Sequence, residues 1–217
     1  MVKVKVCGIT NLEDARAALA AGADALGFNF YRRSPRYIAP TDARRIISEL
    51  PRAGVLCVGV FVNEDSAQTV ARMAAESCVE AVQLHGDETP EYCAELAAQR
   101  VIKALRVGED FAPEQATHYR AESILLDAFS ASARGGTGET FDWELAQRTC
   151  EVVAQLYLAG GLSSENVADA IAAVRPYAVD VCSGVELAPG RKDAARMHAF
   201  VSAVRAASKK LDAQPPR

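Results

Sequence analysis

A chain of 217 residues that is 50% hydrophobic and 24% charged can bury one sizeable core, and its composition is neither disordered nor fibrous. A formal net charge of −4, with Lys and Arg scattered along the chain, gives no general attraction to nucleic acid or anionic lipid; small anionic ligands remain open, because local basic groups decide those. The longest apolar run, Val55 to Val62, falls far short of the roughly 20 residues that cross a bilayer.

Short β-branched runs alternate with Ala-rich, charge-bearing helical segments from one end to the other, the pattern of repeated βα units on a parallel sheet. Strands are expected at Lys3–Cys7, Ala25–Phe30, Leu56–Phe61, Ala81–Leu84, Val101–Leu105, Ser123–Asp127, Gln155–Leu158 and Ala178–Val181. The first helix, Leu12 to Ala21, opens after Asn11 as its cap and closes at Gly22. Thr41, Asn63 and Ser163 are the caps expected for the helices after strands two, three and seven, and Asp193 is expected as a cap or first-turn charge of the last helix. Right-handed crossovers alone do not separate a closed barrel from an open doubly wound sheet. The barrel is the expected form: a single-domain (β/α)8 TIM barrel over residues 1–208, with a frayed tail at 209–217 that contains Pro215 and Pro216.

Six cysteines, at 7, 57, 78, 93, 150 and 182, include no Cys-x-x-Cys pair and no partnering His spacing, so neither a zinc site nor a disulfide framework is indicated. The first apolar strand opens at Val2, so no signal peptide is expected and the reducing cytoplasm is the expected location. Cys57, Cys78, Cys93 and Cys150 read as small fillers of the core or of interfaces.

In barrels of this kind chemistry gathers at the C-terminal ends of the strands, so a reactive residue closing an apolar run is informative. Strand one closes in Cys7-Gly8-Ile9-Thr10, strand six in Leu126-Asp127-Ala128-Phe129, and strand eight in Asp180-Val181-Cys182-Ser183-Gly184-Val185-Glu186. Taken singly, Cys7 reads as a core residue or a catalyst, and Asp127 as a turn cap or an acid. Gly135-Gly136-Thr137-Gly138 and Gly160-Gly161 read as plain turns or as anion cradles, because glycine lets backbone amides approach a ligand closely. The places after strands seven and eight, Gly160-Gly161 and Ser183-Gly184, are where this fold often holds phosphate. Arg32, Arg33 and Arg36 in isolation are solvated charges, His85 is more structural than chemical, and His118 and His198 fall in helical stretches.

Several of these segments, taken together and in this order, resemble the phosphoribosylanthranilate isomerase family. They are Lys5-Val6-Cys7-Gly8-Ile9-Thr10, Gly27-Phe28-Asn29-Phe30-Tyr31 with Ser34-Pro35-Arg36-Tyr37, Gln83-Leu84-His85-Gly86, Leu126-Asp127, Gly135 to Gly138, Leu158-Ala159-Gly160-Gly161-Leu162, and Asp180 to Glu186. The resemblance runs from about Val2 to about Phe200. Cys182 stands where the family pattern leads one to expect serine, and Arg32-Arg33 where a Pro- or Lys-containing pair is expected.

The resemblance implies a cofactor-free Amadori rearrangement of tryptophan biosynthesis, from N-(5′-phosphoribosyl)anthranilate to 1-(2-carboxyphenylamino)-1-deoxyribulose 5′-phosphate. It makes Cys7 the general base and Asp127 the general acid, and it pairs Arg36 with the anthranilate carboxylate. It gives the phosphate to backbone amides near Gly160, Gly161, Ser183 and Gly184, and sets Asp180 to touch the sugar or orient the site. If the thiolate and the Asp127 carboxyl lie close, their repulsion is expected to keep Asp127 protonated. The implied partner is a small phosphorylated molecule, without metal or cofactor, and the chain is expected as a monomer or homodimer. Two other readings compete. A sister sugar isomerase with Asp at the position of Cys7 is disfavoured by that cysteine, and a barrel that binds without turnover is disfavoured by the presence of both proton-transfer residues.

Overall fold

The computed structural model describes residues 1–51, 54–108, 110–127 and 143–213. All eight expected strands form: β1 (Lys3–Cys7), β2 (Ala25–Asn29), β3 (Leu56–Phe61), β4 (Ala81–Leu84), β5 (Arg100–Arg106), β6 (Ser123–Asp127), β7 (Leu156–Ala159) and β8 (Ala178–Val181). Each hydrogen-bonds to the next in a parallel ladder, and β8 returns to β1 with Lys5 level with Asp180 and Val6 level with Val181. The sheet is therefore the closed barrel rather than the open alternative.

Alternation along each strand sorts the side chains into two sets. Inside the barrel, Ala25, Val58, Ala81, Ile102, Leu125, Tyr157 and Ala178 form one buried cluster. Outward residues such as Val4, Leu26, Phe28, Val82, Leu126 and Val179 join the larger core beneath the helices. The inward set also contains polar side chains, Lys5, Gln83 and Asp180, all buried. Such groups are costly to bury unless paired, and they lie just below the rim where the strands end.

Helix boundaries show where local chemistry was enough to read them. In α1 (Leu12–Ala21) Asn11 caps the Asp14 amide and Gly22 ends the helix at φ 97°, and in the last helix, Ala194–Asp212, Asp193 accepts from two first-turn amides. Elsewhere a neighbour takes the expected role. α2 (Pro40–Ser48) begins at Pro40, so Thr41 lies inside it; proline lacks the N–H that a first turn leaves unused. α3 (Ala67–Ser77) is capped by Ser66, while Asn63 sits at φ 51° and its Oδ1 accepts the Asp87 amide. α4 (Pro90–Glu95) is capped by Thr89, and a 3-10 turn at Pro113–His118 follows β5 in place of a full helix. After α5 (Trp143–Val152), α6 (Val167–Val174) starts beyond Asn166, and Ser163 instead accepts the Glu165 amide. The last helix, α7, continues through Asp212, so Lys209 to Asp212 are helical rather than frayed; residues 214–217 lie outside the described residues.

A hairpin that the sequence reading did not foresee, β9 (Glu186–Ala188) and β10 (Arg191–Lys192), stands on the rim between β8 and α7. Cys57 and Cys93 are buried as expected, but Cys78 is exposed at the left-handed end of α3. Among the described residues, no helix is long and apolar enough to cross a membrane.

Candidate active site

Cys7 and Asp127 close β1 and β6 at the same rim. Lys5, two residues before Cys7 on the same inward face, is fully buried and its Nζ donates to Asp180 Oδ2 at 2.8 Å. Burial works against the Lys5 charge, but Asp180 and Cys7 beside it more than restore it and hold the ammonium above the ordinary lysine range. Gly27 makes room for this pair: a Cβ there would lie 2.7 Å from Cys7 Sγ and 3.2 Å from Lys5 Nζ.

The Cys7 thiol is held well below its ordinary range. A hydrogen bond with the Cys182 thiol acts most strongly; burial opposes it, and the charges of Lys5 and Lys192 add to the lowering. Lys192 Nζ lies 3.8 Å from Cys182 Sγ and 2.9 Å from Glu186 Oε1. Cys182 itself is pushed up, chiefly by that same bond to Cys7 and by burial, so it keeps its proton. The two opposite shifts favour ionisation at Cys7 over ionisation at Cys182.

Asp180, expected to touch the sugar or orient the site, joins this cluster from β8. Burial raises its carboxyl to about 7 against the pull of Lys5, and repulsion from Cys7 adds to the rise. A carboxyl repelled by Cys7 is thus found at Asp180. Among the described residues its buried Oδ1 has no hydrogen-bond partner, and neither has Gln83 Oε1.

His85 was read as structural, but it reaches the candidate acid. The Gln83 amide nitrogen lies 2.7 Å from His85 Nδ1, and His85 Nε2 lies 3.1 Å from Asp127 Oδ2. The turn carrying His85 is fixed by Glu88, which accepts from the Asn63 and Gly86 amides and pairs with the buried Lys103 at 2.7 Å. The signal for this role was the alternation Gln83, His85 on the inward face of β4, the same two-residue step that links Lys5 to Cys7.

Arg36 lies beyond β2 in a loop shaped by Ser34, whose Oγ accepts the Arg36 amide. Its Nε and Nη2 form a fork with Glu186 at 2.8 and 2.7 Å. This pair uses two of the five guanidinium donors. Glu186 is held in turn by Lys192 and the Gly190 amide.

Gly160 and Gly161, at φ 93° and 64°, turn the chain after β7. Asn166 locks this loop by accepting the Ser163 amide at 2.8 Å and donating to the Gly161 carbonyl at 3.0 Å. Gly184 lies directly against it, since a Cβ there would collide with the Leu162 carbonyl and come within 3.3 Å of Ser163 Cα. The two glycine-bearing loops after β7 and β8 are thereby brought together. Gly135 to Gly138 lie outside the described residues.

Among known proteins, the family model described as N-(5′-phosphoribosyl)anthranilate (PRA) isomerase matches residues 4–203. The chain belongs to this family. A phosphoribosylanthranilate isomerase of Trichlorobacter lovleyi is 51% identical over 202 residues, covering 93% of this chain and 97% of the relative. The crystal structure of phosphoribosylanthranilate isomerase from Thermotoga maritima is 48% identical with a TM-score of 0.87, over 95% of this chain and all of that one. A second isomerase structure, in complex with reduced 1-(o-carboxyphenylamino)-1-deoxyribulose 5-phosphate, is 47% identical with a TM-score of 0.85, over 95% of this chain and 100% of that chain.

For a phosphate held by these loops, Gly184→Ala is expected to raise KM for a phosphorylated substrate at least tenfold with a smaller change in kcat. The Leu162 carbonyl must move, at a cost of about 1–3 kcal/mol. Steady-state kinetics and a thermal melt read the two effects separately.

Proposed function

We propose that the chain isomerises N-(5′-phosphoribosyl)anthranilate to 1-(2-carboxyphenylamino)-1-deoxyribulose 5′-phosphate, with Cys7 as general base and Asp127 as general acid. The observation that carries this reading is the shared rim: Cys7 and Asp127 close β1 and β6 at the same end of the barrel, and Cys182, Lys5 and Lys192 beside Cys7 lower its thiol. Asp127 donates a proton to the furanose oxygen as the ring opens to a Schiff base. The Cys7 thiolate then removes the proton from C2′, and the resulting enolamine gains a proton at C1′ and loses that of its 2′ hydroxyl to give the aminoketose. Each such proton transfer contributes about 10²–10⁴ in rate.

The other site residues serve binding. The phosphate rests on amides of the loops at Gly160, Gly161, Ser183 and Gly184, where left-handed glycines and close loop packing admit a small anion. Arg36 presents guanidinium donors outside its Glu186 fork to the anthranilate carboxylate. Asp180 and Lys5 hold the floor beneath the thiolate. A reducing cytoplasm suits the free thiols of the chain. A Thermotoga maritima isomerase of this family is described as dimeric, and we propose that this chain works as a monomer or homodimer.

The test is an assay in which phosphoribosylanthranilate is generated in place and loss of its fluorescence is followed for the wild type and for Cys7→Ala. A well-folded wild type without turnover would sink the proposal. Glu186→Gln, which weakens the fork on Arg36, is expected to raise KM about 10- to 100-fold, as a charged hydrogen bond of about 1.5–3 kcal/mol implies. A kcat effect larger than the KM effect would place Arg36 in the chemistry rather than in binding.

A further inference from the structure

The Cys7 thiol has another thiol as its neighbour. The parallel register of β1 on β8 sets Lys5 beside Asp180 and Val6 beside Val181, so its next step brings Cys7 level with Cys182. Neighbouring strands run about 4.8 Å apart, within the Cα separation of about 4.4–6.8 Å that a disulfide spans. Both sulfurs occupy space left by glycine. Cys7 Sγ lies 2.7 Å from the Cβ position of Gly27, and Cys182 Sγ lies 3.1 Å from that of Gly8. Both cysteines are free and partly exposed, whereas Cys57 and Cys93 are buried. Serine, expected from the family pattern at position 182, could not form such a link.

We propose that Cys7 and Cys182 form a modification site at which a hydroperoxide oxidises the two thiols to an intramolecular disulfide, shutting off the isomerase until a thiol reductant restores it. The loss of activity rests on the reading of Cys7 as the base; the cross-link itself does not. In the first step the Cys7 thiolate attacks an oxygen of the hydroperoxide and the O–O bond breaks. Cys7 becomes a sulfenic acid, and the departing alkoxide or hydroxide leaves as alcohol or water after taking a proton from solvent. In the second step the Cys182 sulfur attacks the Cys7 sulfur and the S–O bond breaks. The expelled hydroxide carries off the Cys182 proton as water. In sum, two thiols and one hydroperoxide give a disulfide, an alcohol or water, and one water, with two electrons passing from the sulfurs to the peroxide.

The surroundings suit both steps. Cys182, Lys5 and Lys192 lower the Cys7 thiol toward its reactive anionic form. Once Cys7 is an uncharged sulfenic acid its charge no longer opposes loss of the Cys182 proton, and Lys192 Nζ, 3.8 Å from the Cys182 sulfur, favours the thiolate.

The test uses the full chain, reduced, freed of reductant and treated with hydrogen peroxide near stoichiometry. Remaining thiols are then blocked with N-ethylmaleimide and the digest is analysed by mass spectrometry. A peptide pair linked through Cys7 and Cys182 is expected, with activity falling about 10²-fold and returning with dithiothreitol. Cys182→Ser, treated beside the wild type with a several-fold excess of hydrogen peroxide and each compared with its own untreated activity, is expected to lose activity without recovery, because the unresolved sulfenic acid consumes a second peroxide to give the irreversible sulfinic acid. Absence of the linked pair in the wild type, or recovery of Cys182→Ser like that of the wild type, overturns the inference. A linked pair with undiminished activity supports the dithiol site and overturns the role of Cys7 as base.

Discussion

Cys7→Ala is expected to lower kcat by about 10²–10⁴ while the protein still folds. The substitution removes one sulfur and leaves the Lys5–Asp180 pair at 2.8 Å in place, so the stability cost is the small one of a minor cavity, on the order of 1 kcal/mol. Cys7→Ser is expected to be nearly as inactive, because a hydroxyl of similar size stays protonated where the thiol does not. The pH dependence follows from the lowered thiol. Below its shifted pKa Cys7 is protonated and cannot accept a proton; above it the thiolate is present. With Cys182, Lys5 and Lys192 holding that value down, the acid limb of kcat/KM lies well below the ordinary thiol value of about 8.5. A limb centred between about 8 and 9 would show that the thiol is unactivated. Circular dichroism and a thermal melt on the same preparations separate lost chemistry from lost folding.

Asp127→Asn is the second large effect, again about 10²–10⁴ in kcat, because the amide has no proton to give to the ring oxygen. The variant is conservative in shape. An asparagine side chain can still hydrogen-bond to His85 Nε2, which lies 3.1 Å from the Asp127 carboxyl in the native protein, so the position of the group at the end of β6 is retained. KM is expected to change much less than kcat, since the lost interaction belongs to the transition state. Activity within tenfold of wild type would remove Asp127 from the role of acid and turn attention to His85.

The eight strands, and the places of Cys7 and Asp127 at strand ends, were legible in the sequence, because alternation and strand punctuation are local properties; the proton-transfer roles proposed for those two residues came from the family resemblance. Strand limits fall within a residue of those expected. Helix starts were less legible. At Thr41, Asn63 and Ser163 a nearby Pro40, Ser66 or Asn166 takes the helix start instead; which of several capable residues does so depends on where the loop leaves the barrel, and that is not written locally.

Closure of the sheet was decided only by the pairing of β8 with β1. The same holds for the partners of the reactive groups. Arg36 finds Glu186 across 150 residues, Lys5 finds Asp180 across 175, and His85 finds Asp127 across 42. Residue type and spacing determined that this chain carries a thiol, a carboxyl and glycine loops at strand ends. Whether the thiol is charged, which acid the histidine touches and what holds the arginine are matters of distance and burial, and electrostatic energies depend on those rather than on order along the chain.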